Sequence, residues 1–426
     1  RAQPGRAEKA PQMDLSSFMA ATNPRVISCL DSDIVESEMR LAGVHAEGVR
    51  IMAARGAFTA LRLDRLDVGL AGRVKTAMLA AGSDAAIEES AWTGGGGTTP
   101  IILMGTRRQY KDVLKTLGAQ GGDAVLLAEA VAETLDNYNS RSFALRACGK
   151  VLNLAEGRPA IMGILNVTPD SFSDGGQFFD EKTAIARGVE MAAEGADIID
   201  VGGESTRPGS KGVDAEEEAR RVTAVVREIA KQVPCPISID TSRESVARAA
   251  LDAGATIIND VTALSGDARM AGLAAERGCG LVLMHMKGTP RTMQKAPFYR
   301  ELIGEITAFL RDAISRAVSA GISREQIVVD PGIGFGKTLE HNLEILRRLK
   351  EFASLGRPIL VGVSRKAFIG ALTGAEAGER VFGTAGAVAT AALNGAQILR
   401  VHDVKAMKEA AAVATAIAGR GTSEAK

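Results

Sequence analysis

The chain has 426 residues. That length favours two domains, since a domain typically has roughly 100 to 200 residues. Its 51 basic side chains balance 51 acidic ones, so the net charge gives no reason to expect nucleic-acid binding or attachment to an anionic membrane. Aromatic residues make up 4% of the chain and hydrophobic residues 46%. This composition favours parallel strands of Ala, Val, Ile and Leu covered by helices.

We expect neither export nor membrane insertion from this sequence. No apolar run approaches the roughly 20 residues that span a bilayer, and the N-terminal stretch RAQPGRAEKAPQ lacks the apolar segment of a signal peptide. We therefore expect a cytoplasmic protein with a flexible tail over residues 1–21. Four widely separated cysteines are expected to be reduced thiols. They are Cys29, Cys148, Cys235 and Cys279.

Residues 22–140 predict a small α/β domain of unknown role. The predicted elements, in chain order, are a strand RVISCL, a helix SDIVESEMRLAG, a strand FTALRLDRL, a helix AGRVKTAMLAAG, a strand PIILM with a helix through about Leu117, and a helix from Ala124 to Tyr138. The segment GGGGTT, Gly94 to Thr99, could cradle a phosphate. It lacks the lysine and the spacing of a P-loop, so a flexible connector is the preferred interpretation.

Residues 141–420 predict a second domain. Residues 141–158 form a predicted hairpin with Gly149 at its turn, which could cap the bottom of the structure that follows. Amphipathic helical segments then alternate with eight apolar runs, and strand followed by helix eight times is typical of a (β/α)8 barrel. An open doubly wound sheet is the alternative, because periodicity does not show closure. The eight runs are IMGILN, DIIDVG, PISID, TIIND, LVLMH, IVVD, ILVGV and QILRV.

Polar residues close almost every one of these runs. In such a barrel the active site lies at the C-terminal ends of the strands, so these residues are the first candidates. Any one of them has an alternative role as a helix cap, but eight positions in register are harder to explain that way. The candidates are Asn166, Glu204, Thr206, Arg207, Asp240, Asn259, His285, Asp330, Lys366, Arg400 and His402.

Two groups of candidates predict two parts of a pocket. Asp240, Asn259 and Asp330 should form a floor that accepts hydrogen bonds from a flat heterocycle rich in N–H donors; helix caps or internal ion pairs are the alternative. Arg400 and His402 alternate along the last strand and should face one way. A guanidinium beside an imidazole suits a phosphate or diphosphate, although a surface cation and a core histidine would give the same pattern.

The segment GVSRKAFIG places Lys366 just past the seventh strand, where it could reach a ligand. Its neighbour Arg365 is expected to point outward into a structural ion pair. The loops VTPDSFSDGGQFFD and GGESTRPGSKGVD, after the first two strands, are candidate lids. Turn chemistry alone does not explain Phe172 and Arg207 within them.

The successive motifs NVTPDSFSDGG, GGESTRPGS, PISIDT, IINDV, MHMKGTPRTMQ, DPGIGFGKT, GVSRK and RVHDV resemble those of the dihydropteroate synthases. The resemblance covers Phe143 to Ala418 in order. It implies a transferase of folate biosynthesis that condenses 7,8-dihydropterin-6-ylmethyl diphosphate with p-aminobenzoate, giving 7,8-dihydropteroate and pyrophosphate. It also implies a homodimer and a sulfonamide target.

The resemblance implies a role for each matching residue, with Lys366, Arg400 and His402 as the catalytic set. The pterin would be held by Asp240, Asn259, Asp330 and Lys366. The diphosphate would be held by Asn166, Arg400 and His402, with Mg²⁺ bound through Asn166 and the diphosphate oxygens. The p-aminobenzoate site would be formed by Phe172, Thr206, Arg207, Pro208, Phe335 and Lys366.

The sequence departs from the family at two places. Ala367 stands where many relatives carry a serine that contacts the p-aminobenzoate carboxylate, which leaves a backbone N–H for that contact. The N-terminal domain is absent from the common form of the enzyme. Two alternatives share the pterin floor: a methyltetrahydrofolate:corrinoid methyltransferase, which has no use for a diphosphate site, and a non-catalytic pterin-binding paralogue.

Overall fold

A computed structural model describes residues 32–56, 58–89, 96–155, 158–167, 177–204, 214–289 and 292–419. The chain divides into two compact units, with the border between Ala132 and Glu133. The predicted tail, the strand RVISCL and residues 94 and 95 of the glycine-rich segment lie outside the described residues. Within the described part, no helix is long and apolar enough to cross a membrane.

The first unit is α/β, as predicted. Its three described strands form an antiparallel sheet in the order β1-β3-β2, whose buried residues pack on the helices. Helix α2 and strand β2 were not predicted, because α2 buries only Val49 and Ala53 among its clearly described residues and β2 has four residues. The elements are α1 (Ser32–Leu41), α2 (Ala46–Gly56), β1 (Phe58–Asp67), α3 (Val68–Ala80), β2 (Asp84–Ile87), β3 (Thr98–Thr106) and α4 (Arg107–Gly118). Helix α5 (Asp123–Tyr138) runs across the border between the units.

The predicted hairpin is present, with β4 (Ser142–Ala147) antiparallel to β5 (Lys150–Ala155). Both turn residues have positive φ, 48° at Cys148 and 80° at Gly149, and such a turn matches the twist of the two strands. One face of the hairpin is apolar and buried against the first inward-facing residues of the strands that follow. The hairpin therefore covers the N-terminal end of the second sheet.

Eight parallel strands form the second sheet, in the order β11-β10-β9-β8-β7-β6-β13-β12. A parallel bridge between Val329 and Ile359 joins the two ends of this order, and the N–H of Val329 donates to the carbonyl of Pro358 at 2.9 Å. The predicted (β/α)8 barrel is confirmed, and the open sheet is wrong. The strands are β6 (Ala160–Asn166), β7 (Ile198–Gly202), β8 (Ile237–Asp240), β9 (Ile257–Asp260), β10 (Gly280–Met284), β11 (Ile327–Asp330), β12 (Leu360–Gly362) and β13 (Ile398–Val401).

Helices cover the outside of the barrel, and their apolar faces form one core with the outward residues of the strands. They are α6 (Gln177–Ala193), α7 (Ala215–Ala230), α8 (Glu244–Ala253), α9 (Met270–Arg277), α10 (Leu302–Ser319), α11 (Leu339–Arg347), α12 (Ala367–Thr373), α13 (Val381–Leu393) and α14 (Val404–Ile417). Three 3-10 turns lie between them, at Arg324–Gln326, Leu349–Leu355 and Ala377–Glu379.

The interior of the barrel changes from apolar to polar along most of its strands. In β7, Ile198 points inward and packs with the apolar residues of the β4–β5 hairpin, while Ile199 and Val201 pack on the helices. Because strand residues alternate between faces, Asp200 points into the barrel one step above Ile198. The same alternation places Asn259, Asp330 and Arg400 in this polar layer. The layer lies towards the C-terminal ends of the strands and positions the candidate site. 

Candidate active site

Arg400 connects two walls of the polar layer. Its Nε donates to Oδ2 of Asp200 at 2.6 Å, and its Nη2 donates to Oδ2 of Asp240 at 2.7 Å. The side-chain amide of Asn259 donates to the same Oδ2 of Asp200 at 3.2 Å. The structure thus brings together two residues predicted to hold a pterin and one predicted to hold a diphosphate.

Asp200 is the residue that the sequence prediction missed. Its side chain is 0% exposed and carries the two contacts that join Arg400 to Asn259. A signal was available, because an aspartate at an inward position of the apolar run DIIDVG is costly to bury without partners. The prediction used only the residues that close each run.

Burial dominates the electrostatics of the acidic floor. It raises the pKa of Asp240 above the ordinary range of a carboxyl group, and the charge of Arg400 opposes this shift. It raises the pKa of Asp330 to about 6, against the opposing hydrogen bond from the N–H of Gly332, which is 2.7 Å long. Burial also disfavours the charge of Arg400, but Asp200 and Asp240 outweigh it and raise the pKa of that guanidinium.

Two oxygens of this floor have no protein donor among the described residues. They are Oδ1 of Asp200 and Oδ1 of Asp240, both buried. The hydroxyl oxygen of Ser238, which faces inward from the neighbouring position on β8, is also buried without a partner there. Buried acceptors of this kind are costly unless a ligand or water supplies donors. The floor is therefore suited to a ligand rich in N–H groups.

Lys366 and Phe335 lie together, as predicted for the p-aminobenzoate site. Lys366 precedes α12, and its Nζ lies 4.3 Å from the centroid of the Phe335 ring. The segment after β11 reaches this position by a tight path, with positive φ at Gly332, Gly334 and Gly336. A cation over an aromatic face is attractive, so the two side chains stabilise each other's position.

His402 and Arg365 are each held by a partner. Nδ1 of His402 lies 2.9 Å from the hydroxyl oxygen of Ser364, which also accepts from the backbone N–H of His402 at 3.2 Å. Ser364 therefore orients the imidazole. Arg365 makes two contacts to Asp403, at 2.6 and 3.2 Å, and this confirms the expected structural ion pair.

His285 does not join the site, contrary to the expectation that it would line the pocket. His285 comes directly after β10. Because strand residues alternate between faces, it faces the helices as Leu281 and Leu283 do. Its ring packs on the ring of Phe309 of α10, with the ring centroids 4.9 Å apart. Its Nδ1 lies 2.9 Å from Nζ of Lys337. Burial, and then the charge of Lys337, lower the pKa of His285 to about 2.

Two further candidates, Asn166 and Glu204, lie at or just after the C-terminal ends of neighbouring strands. Asn166 ends β6 beside Gly202 of β7, and Glu204 forms an ion pair with Arg243 at 3.3 Å. Glu204 thus has a structural partner. The other four predicted residues lie outside the described residues, as do most of the two predicted lid loops. They are Phe172, Thr206, Arg207 and Pro208.

Comparison with known proteins identifies the family. Residues 162–402, more than half of the chain, match the family described as pterin binding enzyme. The dihydropteroate synthase of Escherichia coli K12 is 47% identical over 272 residues, which are 64% of this chain and 95% of that protein. The chain belongs to the dihydropteroate synthases, within the pterin binding enzyme family.

A solved dihydropteroate synthase from Xanthomonas albilineans, with 4-aminobenzoic acid, matches with a TM-score of 0.61 and 44% identity, over 65% of this chain and all of that one. A probable bifunctional folylpolyglutamate synthase/dihydropteroate synthase from Haloferax volcanii is 40% identical over 351 residues, which are 80% of this chain and 41% of that protein. The second unit, from Glu133 to Lys426, makes up less than 80% of the chain, so that match extends into the first unit.

Proposed function

We propose that this dihydropteroate synthase condenses 7,8-dihydropterin-6-ylmethyl diphosphate with p-aminobenzoate, giving 7,8-dihydropteroate and pyrophosphate in folate biosynthesis. The observation that carries the proposal is the polar layer of the barrel, where buried acceptors that receive no hydrogen bond from a described residue lie beside the partly buried guanidinium of Arg400. A pterin supplies N–H donors, and a diphosphate needs a cation. The methyltransferase alternative has no use for the cation.

The pterin would lie on the floor formed by Asp240, Asn259 and Asp330. A guanidine-like edge of the ring can donate two parallel hydrogen bonds to one carboxylate, which satisfies an acceptor such as Oδ1 of Asp240. Lys366, above Phe335, would donate to the oxygen and nitrogen edge of the ring. The buried Oδ1 of Asp240 then has a donor.

The reaction begins when the bond between the methylene carbon and the diphosphate oxygen breaks. The electron pair leaves with the oxygen, and the electron-rich pterin stabilises the methylene cation. Arg400 and His402 would stabilise the charge that grows on the leaving group, while Asp240 and Asp330 favour the cation. The neutral amine of p-aminobenzoate then forms the new carbon–nitrogen bond and releases its proton to solvent.

We propose that Asn166 and the diphosphate oxygens hold Mg²⁺. The described residues contain no group of three His, Cys, Asp or Glu that could bind a metal. The side-chain oxygen of Asn166 together with the diphosphate oxygens is a donor set that fits Mg²⁺, because this ion commonly uses one or two protein oxygens, waters and phosphates. When bound, the ion would neutralise part of the charge on the leaving diphosphate.

The p-aminobenzoate would lie against Phe335 and Lys366, with Phe172, Thr206, Arg207 and Pro208 completing the site. The solved relative from Xanthomonas albilineans contains 4-aminobenzoic acid, which supports this choice of substrate. Ala367 is the first residue of α12, so its backbone N–H is available for the substrate carboxylate where relatives use a serine hydroxyl.

We propose that two copies of the chain form a homodimer. Helices α12, α13 and α14 carry large apolar side chains that are exposed in the single chain, of which Phe382 is 89% exposed. Exposed apolar side chains of this size commonly mark a protein interface. The others are Leu372, Leu393, Val413 and Ile417.

We also propose that the first unit is a domain separate from the catalytic barrel. The described site residues all lie between Ala160 and His402, so a chain without residues 1–122 should retain turnover. Removal of residues 1–140 also deletes Asn137, whose amide donates to the carbonyl of Ser354 at 3.3 Å within the second unit. The longer deletion should therefore melt at a lower temperature than the shorter one.

A coupled assay tests the function. The full chain is incubated with the pterin diphosphate, p-aminobenzoate and Mg²⁺, and pyrophosphate release is followed with and without p-aminobenzoate. Release that depends on p-aminobenzoate is the expected result. Intact binding of the pterin diphosphate without any release would identify a non-catalytic paralogue and overturn the proposal.

A further inference from the structure

We propose that Asp200 is a positioning residue that holds Arg400 in the orientation needed to bind the diphosphate. The inference deepens the proposed function and rests on it. Asp200 touches neither substrate in this proposal. It acts through Arg400, and its carboxylate also fixes Asn259 of the pterin floor.

One oxygen atom of Asp200 contacts both Arg400 and Asn259. Oδ2 of Asp200 accepts from Nε of Arg400 at 2.6 Å and from Nδ2 of Asn259 at 3.2 Å. The carboxylate is completely buried on the middle of β7, so packing and the strand backbone fix its place. A rigid acceptor that serves both residues sets the distance between the diphosphate and pterin parts of the site.

The contact at Nε determines where the rest of the guanidinium points. Nη2 of Arg400 already donates to Asp240 at 2.7 Å, and no described residue accepts from Nη1. With Nε fixed by Asp200, the planar group cannot rotate about its long axis, and Nη1 stays directed away from both carboxylates. Nη1 is therefore the donor left for a diphosphate oxygen.

Loss of this anchor should leave Asp240 as the strongest partner of Arg400. The guanidinium would then turn towards Asp240 with both Nη atoms, because a bidentate pair is the preferred geometry of arginine and a carboxylate. Diphosphate binding would lose its donor. Asparagine at position 200 keeps an oxygen acceptor for both Asn259 and Arg400 but removes the negative charge that holds the guanidinium. Pterin binding would therefore be affected much less than diphosphate binding.

Asp200→Asn tests the proposal by binding measurements on the full chain in the presence of Mg²⁺. Calorimetry measures the affinity for pyrophosphate and for 6-hydroxymethyl-7,8-dihydropterin, which lacks the diphosphate. We expect the affinity for pyrophosphate to fall about tenfold or more and that for the pterin to change less than about threefold, since one charge-assisted contact is removed. Equal losses, or none, would overturn the proposal.

A double-mutant cycle tests whether Asp200 acts through Arg400. Arg400→Lys removes the guanidinium, so adding Asp200→Asn to it should cost less than about twofold in pyrophosphate affinity. A further tenfold loss would show an independent role and contradict the proposal. Asp252→Asn, the same change at an exposed position on α8, is the matched control and should bind both ligands normally.

The two proposals fail in different ways. Binding does not require turnover, so the affinity measurements decide the role of Asp200 even if pyrophosphate release is absent. Missing release in the unaltered chain counts against the proposed function alone. Should Asp200→Asn not fold, Asp200→Ser carries the comparison, and the loss of affinity for pyrophosphate is still expected to exceed the loss for the pterin.

Discussion

Nζ of Lys337 lies 2.9 Å from Nδ1 of His285 and donates to the carbonyl oxygen of Phe335 at 3.0 Å. When Lys337 is charged it can only donate, so Nδ1 of His285 accepts and the proton of the neutral ring lies on Nε2. The pair joins the end of β10 to the segment after β11. That segment carries Phe335, so the lysine supports one wall of the proposed p-aminobenzoate site.

Lys337 should make stability depend on pH. Burial lowers the pKa of Lys337 to about 7, whereas the unfolded chain keeps the ordinary value of about 10.4. Between these values the unfolded state binds more protons, so this lysine makes stability rise with pH. We expect the free energy of unfolding of the unaltered chain, relative to Lys337→Met, to increase between pH 7 and about 9.5.

Urea denaturation at several pH values measures this difference. Exposed Lys405→Met on α14 is a suitable control, because its side chain is not buried and the difference from the unaltered chain should stay flat over the same range. A flat difference for Lys337→Met as well would show that the buried lysine does not titrate in this range.

A pair of glycine substitutions separates backbone strain from a steric clash. Gly332 and Gly374 have nearly the same φ, 71° and 74°. A Cβ at Gly332 would lie 2.0 Å from the carbonyl oxygen of His285, whereas nothing lies within 4 Å of a Cβ at Gly374. We expect Gly374→Ala to cost about 1 kcal/mol of stability from strain alone.

Gly332→Ala should cost about 3 kcal/mol or more, because backbone must move as well. It should also weaken pterin binding, since the N–H of Gly332 holds the carboxylate of Asp330 at 2.7 Å. Chemical denaturation and calorimetry check the two effects. Equal destabilisation by the two alanines would contradict the clash.

Arg400→Ala tests the proposed stabilisation of the leaving group. Loss of one contact that stabilises charge in the transition state costs about 3 kcal/mol, so kcat should fall a hundredfold or more. The pyrophosphate-release assay measures this, with melting temperature recorded beside it. Near-normal turnover would exclude Arg400 from the catalytic set.

Phe382→Asp tests the proposed dimer. A charge at this highly exposed position of α13 should shift the chain towards the monomer if the side chain is covered by a second copy. Light scattering coupled to size exclusion measures the mass. Phe298→Asp, at another exposed position of the barrel unit, is the control and should keep the mass of the unaltered chain. A monomeric unaltered chain would refute the dimer.

The barrel could be predicted because its signal is repeated eight times in an unbroken order. Each strand is short and apolar, and each helix has an apolar face, so local pattern and overall fold agree. The first unit gave a weaker prediction, since α2 buries few residues and β2 has only four. Closure of the ring needed the Val329–Ile359 bridge, which no periodicity reveals.

The site was predictable where a residue both closes a strand and keeps the inward alternation. Asp240 and Asp330 meet both conditions, and Asn259 and Arg400 keep the inward alternation one residue before their strands end. His285 closes its run, but its side chain faces outward to the helices, and the prediction did not consider which way it faces. Asp200 has the inward alternation but does not close its run. Counting alternate residues from the apolar layer would have corrected both errors.

The hairpin of β4 and β5 closes the N-terminal end of the barrel. Apolar side chains fill the end beneath the polar layer, so ligands have to arrive and depart past the C-terminal ends of the strands. In the proposed arrangement the pterin would lie deepest, and p-aminobenzoate would bind above it. We therefore expect the ligands to bind and dissociate in order. A molecule bound against Phe335 would keep the pterin below it from dissociating until that molecule itself dissociates.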